Sequence, residues 1–251
     1  MSLSAQALVY IARKAIIAGN TWAGDNVVEQ PVNPASNWYR DGKFTMQSPS
    51  VAVYYERADS IGPGDVQNLD LMIYVYLPPS GVALPEGVAF QPSVATAGLT
   101  LNIIGRQIES ALLHADNVWG DLFRRFKTGD VKKSSRPVII EIENAVRIPA
   151  IELQFEFATI PDPDVGKPIT ELATWTMLDM ALRAEGNAVV ADIFKALIES
   201  PLALPDYRLL QIQQGHTDAS LTAMGLGPAA TGATPSDGSL PILNDVDIIN
   251  E

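Results

Sequence analysis

The chain has 251 residues, 47% of them apolar, and its 17 basic against 29 acidic side chains give a net charge of −12. That balance repels a phosphate backbone and argues against nucleic-acid binding by the chain as a whole, while a mean hydropathy of +0.11 is that of a globular protein. The absence of cysteine removes disulfides, thiolate metal sites and thiol nucleophiles together, and no window holds the roughly 18 to 20 uninterrupted apolar residues of a membrane span.

Leu3, Ala7, Leu8, Ile11, Ala12, Ala15 and Ile16 recur at helical spacing, which predicts an amphipathic helix over 3–18 stopped by Gly19-Asn20. Arg13 and Lys14 follow its apolar run where a secretion signal would carry small residues and a cleavage site, so a soluble chain without such a signal is expected. From Gly24 to Ser50 the text is polar and rich in Pro and Asn. It predicts a short extended piece near Val27-Val28 and then a long loop holding Trp38 and Tyr39 among turn formers.

Val51, Val53 and Tyr55 alternate with Ala52, Tyr54 and Glu56, and after Gly62-Pro63-Gly64 a second run alternates from Leu69 to Leu77. The two runs predict an antiparallel strand pair with one buried face. A Pro/Gly-rich loop follows over 78–92, then a long helix over 93–115 with Ser93 as its cap. Residues 117–136 carry the chain's one concentrated basic stretch, Arg124, Arg125, Lys127, Lys132, Lys133 and Arg136, beside Trp119 and Phe123. This reads either as an amphipathic segment ahead of a strand or as a contact surface, chiefly for a protein partner.

Val138 to Glu143 and Ile151 to Phe157 alternate around a turn near Asn144 to Pro149, a hairpin with an apolar face and an acidic one. The acidic face holds Glu141, Glu143, Glu152 and Glu156, which are expected to be solvated, to meet a basic neighbour, or to line a channel for passing DNA. The element order predicts an α+β fold, a mainly antiparallel sheet of about four strands covered by two helices, over residues 1–160. Beyond it come a linker at 161–168, a helical hairpin at 169–200 and a Gly/Pro-rich arm at 201–251. That arm is expected to lie along a neighbour.

Few residues suggest chemistry. His114 and His216 are the two imidazoles, and neither is accompanied by a Gly-x-Ser-x-Gly elbow, so structural or solvated roles are expected for both. Asp162 with Asp164, and Asp245 with Asp247 and Glu251, lack the pattern of a calcium loop and read as a solvated linker and a polar terminus. Gly62-Pro-Gly64 and Gly225-Leu-Gly-Pro228 lack the strand, helix and Lys-Ser/Thr of a phosphate loop and read as turns. No catalytic residue, cofactor or metal is assigned.

Residues 5–160 resemble the tail terminator proteins of long-tailed bacteriophages, the U-type family. The likeness lies in a helix running into Ala23-Gly-Asp-Asn-Val27, a Pro-rich stretch and the strand Ser48-Pro-Ser-Val-Ala-Val-Tyr-Tyr55. The 68–77 strand, the helix carrying Ile104-Gly-Arg-Gln-Ile-Glu-Ser-Ala-Leu-Leu113 and the closing hairpin follow in the same order. The resemblance implies a virion protein in a hexameric ring that caps the tail tube, ends polymerisation and meets neck or head-completion proteins, and sheath where the tail contracts. It implies no catalytic residues. Under it the loops at 31–48 and 79–92 are expected to touch tube or neck, and the acidic hairpin face the lumen or a subunit boundary. Residues 165–251 have no counterpart in that family. A neck or head-completion adaptor of the same tail is the alternative, and a metal-assisted hydrolase built on the acidic pairs is a third reading.

Overall fold

A computed structural model describes residues 2–29, 39–40, 43–44, 49–59, 66–78, 82–83, 89–90, 94–142, 146–164 and 166–199. The chain divides into two units, Met1–Pro201 and Leu202–Glu251, and all described residues belong to the first. In order they form α1 (Leu3–Ala18), β1 (Val27–Glu29), β2 (Tyr39–Arg40), β3 (Lys43–Phe44), β4 (Ser50–Asp59), β5 (Gln67–Tyr76), β6 (Val82–Ala83), β7 (Ala89–Phe90), α2 (Val94–Leu113), α3 (Val118–Phe126), β8 (Lys127–Ile142), β9 (Val146–Thr159), a single 3-10 turn (Ile169–Glu171), α4 (Ala173–Ala184) and α5 (Ala188–Glu199). The fold is α+β.

Five strands form one mixed sheet in the order β1-β4-β5-β9-β8, while β2-β3 and β6-β7 are separate two-stranded pairs. The expected four strands are β4, β5, β8 and β9, antiparallel throughout. The extended piece near Val27-Val28 is a fifth, β1, parallel to β4 with Val27 opposite Val51. Three residues carry too little alternation to announce a strand, and β1 exists because β4 offers it a ladder. Its buried Val27 joins the core.

The odd-numbered residues of β5 and β9, from Leu69 to Val75 and from Ile151 to Phe157, share one face of the sheet. They pack in the main core with α1, α2 and α3. Only that face carries helices among the described residues. α1 is buried nearly all round because α3 lies against it as well as the sheet. At its end the left-handed residue is Asn20, with φ +50. Gly19 is held small for another reason: a Cβ there would stand 2.5 Å from the Ala111 Cβ of α2.

The basic stretch divides where α3 ends. α3 closes at Phe126, and β8 begins at the next residue, well before the first alternating run. Gly129, at φ +67, sits in the irregularity between Thr128 and Lys132 that realigns β8 on β9. Pro137 lies within β8, which an edge strand tolerates.

Residues 161–164 run against the start of α1: Asp162 Oδ1 accepts from the Ser4 backbone N–H at 2.7 Å and from the Ser2 hydroxyl at 3.1 Å. Trp175, Leu178, Leu182, Phe194 and Ile198 of α4 and α5 then join the main core. Trp175 meets Phe126 edge-on, with ring centroids 5.0 Å apart, and Phe194 at 5.9 Å. The 161–168 connection thus lies inside one compact unit. The arm at 201–251 falls outside the described residues.

Candidate interaction face

Opposite the helices, the sheet presents its even-numbered residues to a second environment. Register sets them in cross-strand rows: Ser50, Tyr76, Ala150 and Val138; Ala52, Tyr74, Glu152 and Arg136; Tyr54, Met72, Gln154 and Ser134. Tyr54, Tyr74 and Tyr76 stack along this face, with centroids 5.9 and 6.1 Å apart. A smaller apolar cluster of Ala52, Tyr76, Ile148 and Ala150 lies beside them.

The Glu152 carboxylate is the centre of this face. It is 5% exposed and accepts from Arg136 twice, Nε to Oε1 at 2.6 Å and Nη2 to Oε2 at 2.8 Å, and also from the Tyr74 hydroxyl. Burial pushes its pKa up, but the Arg136 fork and the Tyr74 donor outweigh burial and hold it below the ordinary value. Burial, and then the bond to Glu152, push the Tyr74 phenol upward. Glu156 pairs with Lys132 at 2.9 Å in the exposed continuation of the same arrangement. The expected acidic face is therefore charge-paired where it is described.

The basic candidates on α3 are also engaged at home. Arg125 meets Asp121 at 2.7 Å, and Arg124 donates to the Ala115 carbonyl at 2.9 Å. Glu141 lies on β8 and Tyr39 on β2, and Trp38 and Glu143 fall outside the described residues, as do His216, Asp245, Asp247 and Glu251. His114 is exposed just past the end of α2, and Asp162 serves the α1 N-terminus.

The two edges of the sheet differ. β1 has three residues, and the Arg13 guanidinium donates to its Val27 carbonyl at 2.8 Å. β8 has 16 residues, and Lys132 to Pro137 are all exposed. Between β8 and α2 runs a groove of about 510 Å³. Its floor is Ile151, Leu153 and Phe155, and its rims include Asn102, Arg106 and Lys133. Lys133 is tied across it to Glu109.

The residue pattern singles out Glu152 and Arg124 but does not name Arg136 as the partner of Glu152. A signal is present nonetheless: Lys132 and Arg136 are four apart on one strand, Glu152 and Glu156 four apart on the next, and a hairpin register brings such pairs opposite. Among the described residues no group of three His, Cys, Asp or Glu converges as a metal site would require, and no helix is long and apolar enough to cross a membrane. No protein-family model matches this chain, and none of the curated proteins searched matches it.

Proposed function

We propose that this chain is a non-enzymatic assembly subunit of a phage tail, a terminator-like protein that forms a ring over the last ring of tail-tube protein. In this reading six copies close the ring, stop growth of the tube and any sheath, and present a surface to neck or head-completion proteins. The place is the virion, at the head-proximal end of the tail, with DNA only passing through the lumen.

The observation that supports this reading is the order and packing of elements over residues 5–160. A helix, a strand pair, a helix and a closing hairpin build a sheet covered on one face, in the order on which the resemblance rests. The unlike sheet edges add to it. A ring needs two different surfaces on each copy, because identical patches close as dimers, and here one edge is short and covered by Arg13 while the other is long and exposed.

Light scattering and negative-stain imaging of the purified chain, alone and with its tube protein, test the reading. Rings, sixfold in projection, are expected. A monomer that forms no ring even with the tube protein overturns it.

A further inference from the structure

The exposed edge of β8 is a prepared site for a strand. Lys132, Ser134 and Arg136 point to the open face and Lys133 and Ser135 to the helix side, where the groove floor of Ile151, Leu153 and Phe155 lies on the neighbouring strand. Across each row the charges alternate outward from the sheet, Glu152 then Arg136 and Glu156 then Lys132, so the next position outward suits an acid. Arg136 and Lys132 keep side-chain exposures of 70% and 78% after pairing, leaving room for a second carboxylate. Pro137 lacks an N–H and bounds the open ladder, which leaves the five residues 132–136.

Outside the described residues, one segment carries the complementary pattern. In Asn244-Asp-Val-Asp-Ile-Ile-Asn-Glu251, Asp247 and Glu251 are four apart, as Lys132 and Arg136 are, and Ile249 lies between them as Ser134 does. We propose that residues 247–251 of a second copy add to β8 as a further strand. The inference rests on the reading of the chain as a self-assembling subunit and names the contact between copies. In either strand direction the two acids fall opposite the two cations and Ile249 opposite Ser134. Ile248 then turns to the helix side, beside Ser135 or Lys133 on the β8 side of the groove. Backbone pairing holds the strand, and the acid spacing sets its register.

The chain has no cysteine, so introduced thiols report one contact. Opposed residues have Cα atoms about 4.5 to 5.5 Å apart, within disulfide reach. Full-length Ser134→Cys and Ile249→Cys proteins are mixed and oxidised, with Glu171→Cys, exposed on the 3-10 turn, as the control for Ser134→Cys. A disulfide-linked heterodimer at least tenfold above the control, and lost when Asp247→Lys and Glu251→Lys are added to the Ile249→Cys chain, is expected. A link no stronger than the control, a link indifferent to the two lysines, or only an intrachain link in a Ser134→Cys/Ile249→Cys chain overturns the inference. Rings seen by imaging without the selective link reject this contact and leave the ring reading standing. A chain that stays monomeric with its tube protein rejects both.

Discussion

Arg136 on β8 grips the buried Glu152 of β9 with a two-point fork, and Tyr74 on β5 donates to the same carboxylate from the other side. Three strands are thereby pinned in one register on the face opposite α1, α2 and α3. Such a fork is geometrically selective: a lysine offers one point of charge where arginine offers two parallel donors.

Loss of either donor is expected to be felt through Glu152. Tyr74→Phe removes one neutral donor and is expected to cost about 1 kcal/mol, while Arg136→Ala leaves a buried carboxylate without its cation and is expected to lower Tm further. Because the folded pKa of Glu152 lies below its ordinary value of 4.5, its contribution is present above that value and fades as pH falls through the folded pKa. The Tm difference between wild type and Glu152→Gln should therefore be largest near neutrality and shrink below about pH 4.5. A difference that grows on acidification would contradict the fork.

Asp162 joins the far end of the closing hairpin to the start of α1. Burial raises its carboxyl, and donors from the Ser4 backbone, Gln67 and the Ser4 hydroxyl more than offset this, so the net shift is downward. Ser2 is the N-cap of α1, and Asp162 adds a second acceptor for its first turn at the Ser4 N–H; Asp162→Ala is expected to cost about 1 kcal/mol, as loss of a capping acceptor does, and Asp162→Asn less, since it keeps an acceptor. The loss should be acid-sensitive in the same sense as that of Glu152. Urea titrations at pH 7 and pH 3 check both.

Trp175 is where α4 enters the core. Trp175→Ala empties a site between Phe126 and Phe194 and is expected to cost about 3 to 5 kcal/mol. Because that core is shared with α1 and the sheet, far-UV and near-UV circular dichroism should report one transition. A separate early melting of α4 and α5 would show that they stand apart.

Gly19, the residue that caps the end of α1, lies against Ala111 of α2. Gly19→Ala puts two Cβ atoms 2.5 Å apart and is expected to cost about 1 to 3 kcal/mol from overpacking. Ala111→Gly in the same chain should recover part of the loss, since the two changes share one contact. Full additivity in the double variant would mean that the helices do not meet there.

The periodic elements are legible in the residue pattern alone. Leu69 to Leu77 and Ile151 to Phe157 alternate, and Leu101, Ile104, Ile108 and Leu112 step by three and four, so strand, hairpin and helix follow from each local run. Lys127 to Arg136 resists such a reading because its side chains are mostly exposed on an edge and carry no apolar alternation, although the backbone pairs with β9 throughout the stretch beyond the bulge. The Asp162 to Pro168 stretch looks like a connector because prolines alternate with aspartates. That appearance says nothing of the Ser2 and Ser4 donors more than 150 residues away.

The candidate face divides in the same way. Alternation alone places Glu152 and Glu156 on one side of a strand, since it depends only on the two-residue repeat of the backbone. That Glu152 is buried and forked while Glu156 stays exposed depends on the residues the register sets beside each: Tyr74 and Arg136 flank Glu152, whereas Asp70 and Lys132 flank Glu156.

Sequence by itself determined the globular composition, the α+β class and the apolar faces of the principal strands and helices, because each follows from residue chemistry and short-range periodicity. Tertiary structure alone decided that β1 joins the sheet, that β8 starts at Lys127, that α4 and α5 share the main core, and that the cations of β8 meet the acids of β9. Those outcomes depend on pairing and burial between residues far apart in the chain, which the periodicity of a single element does not encode.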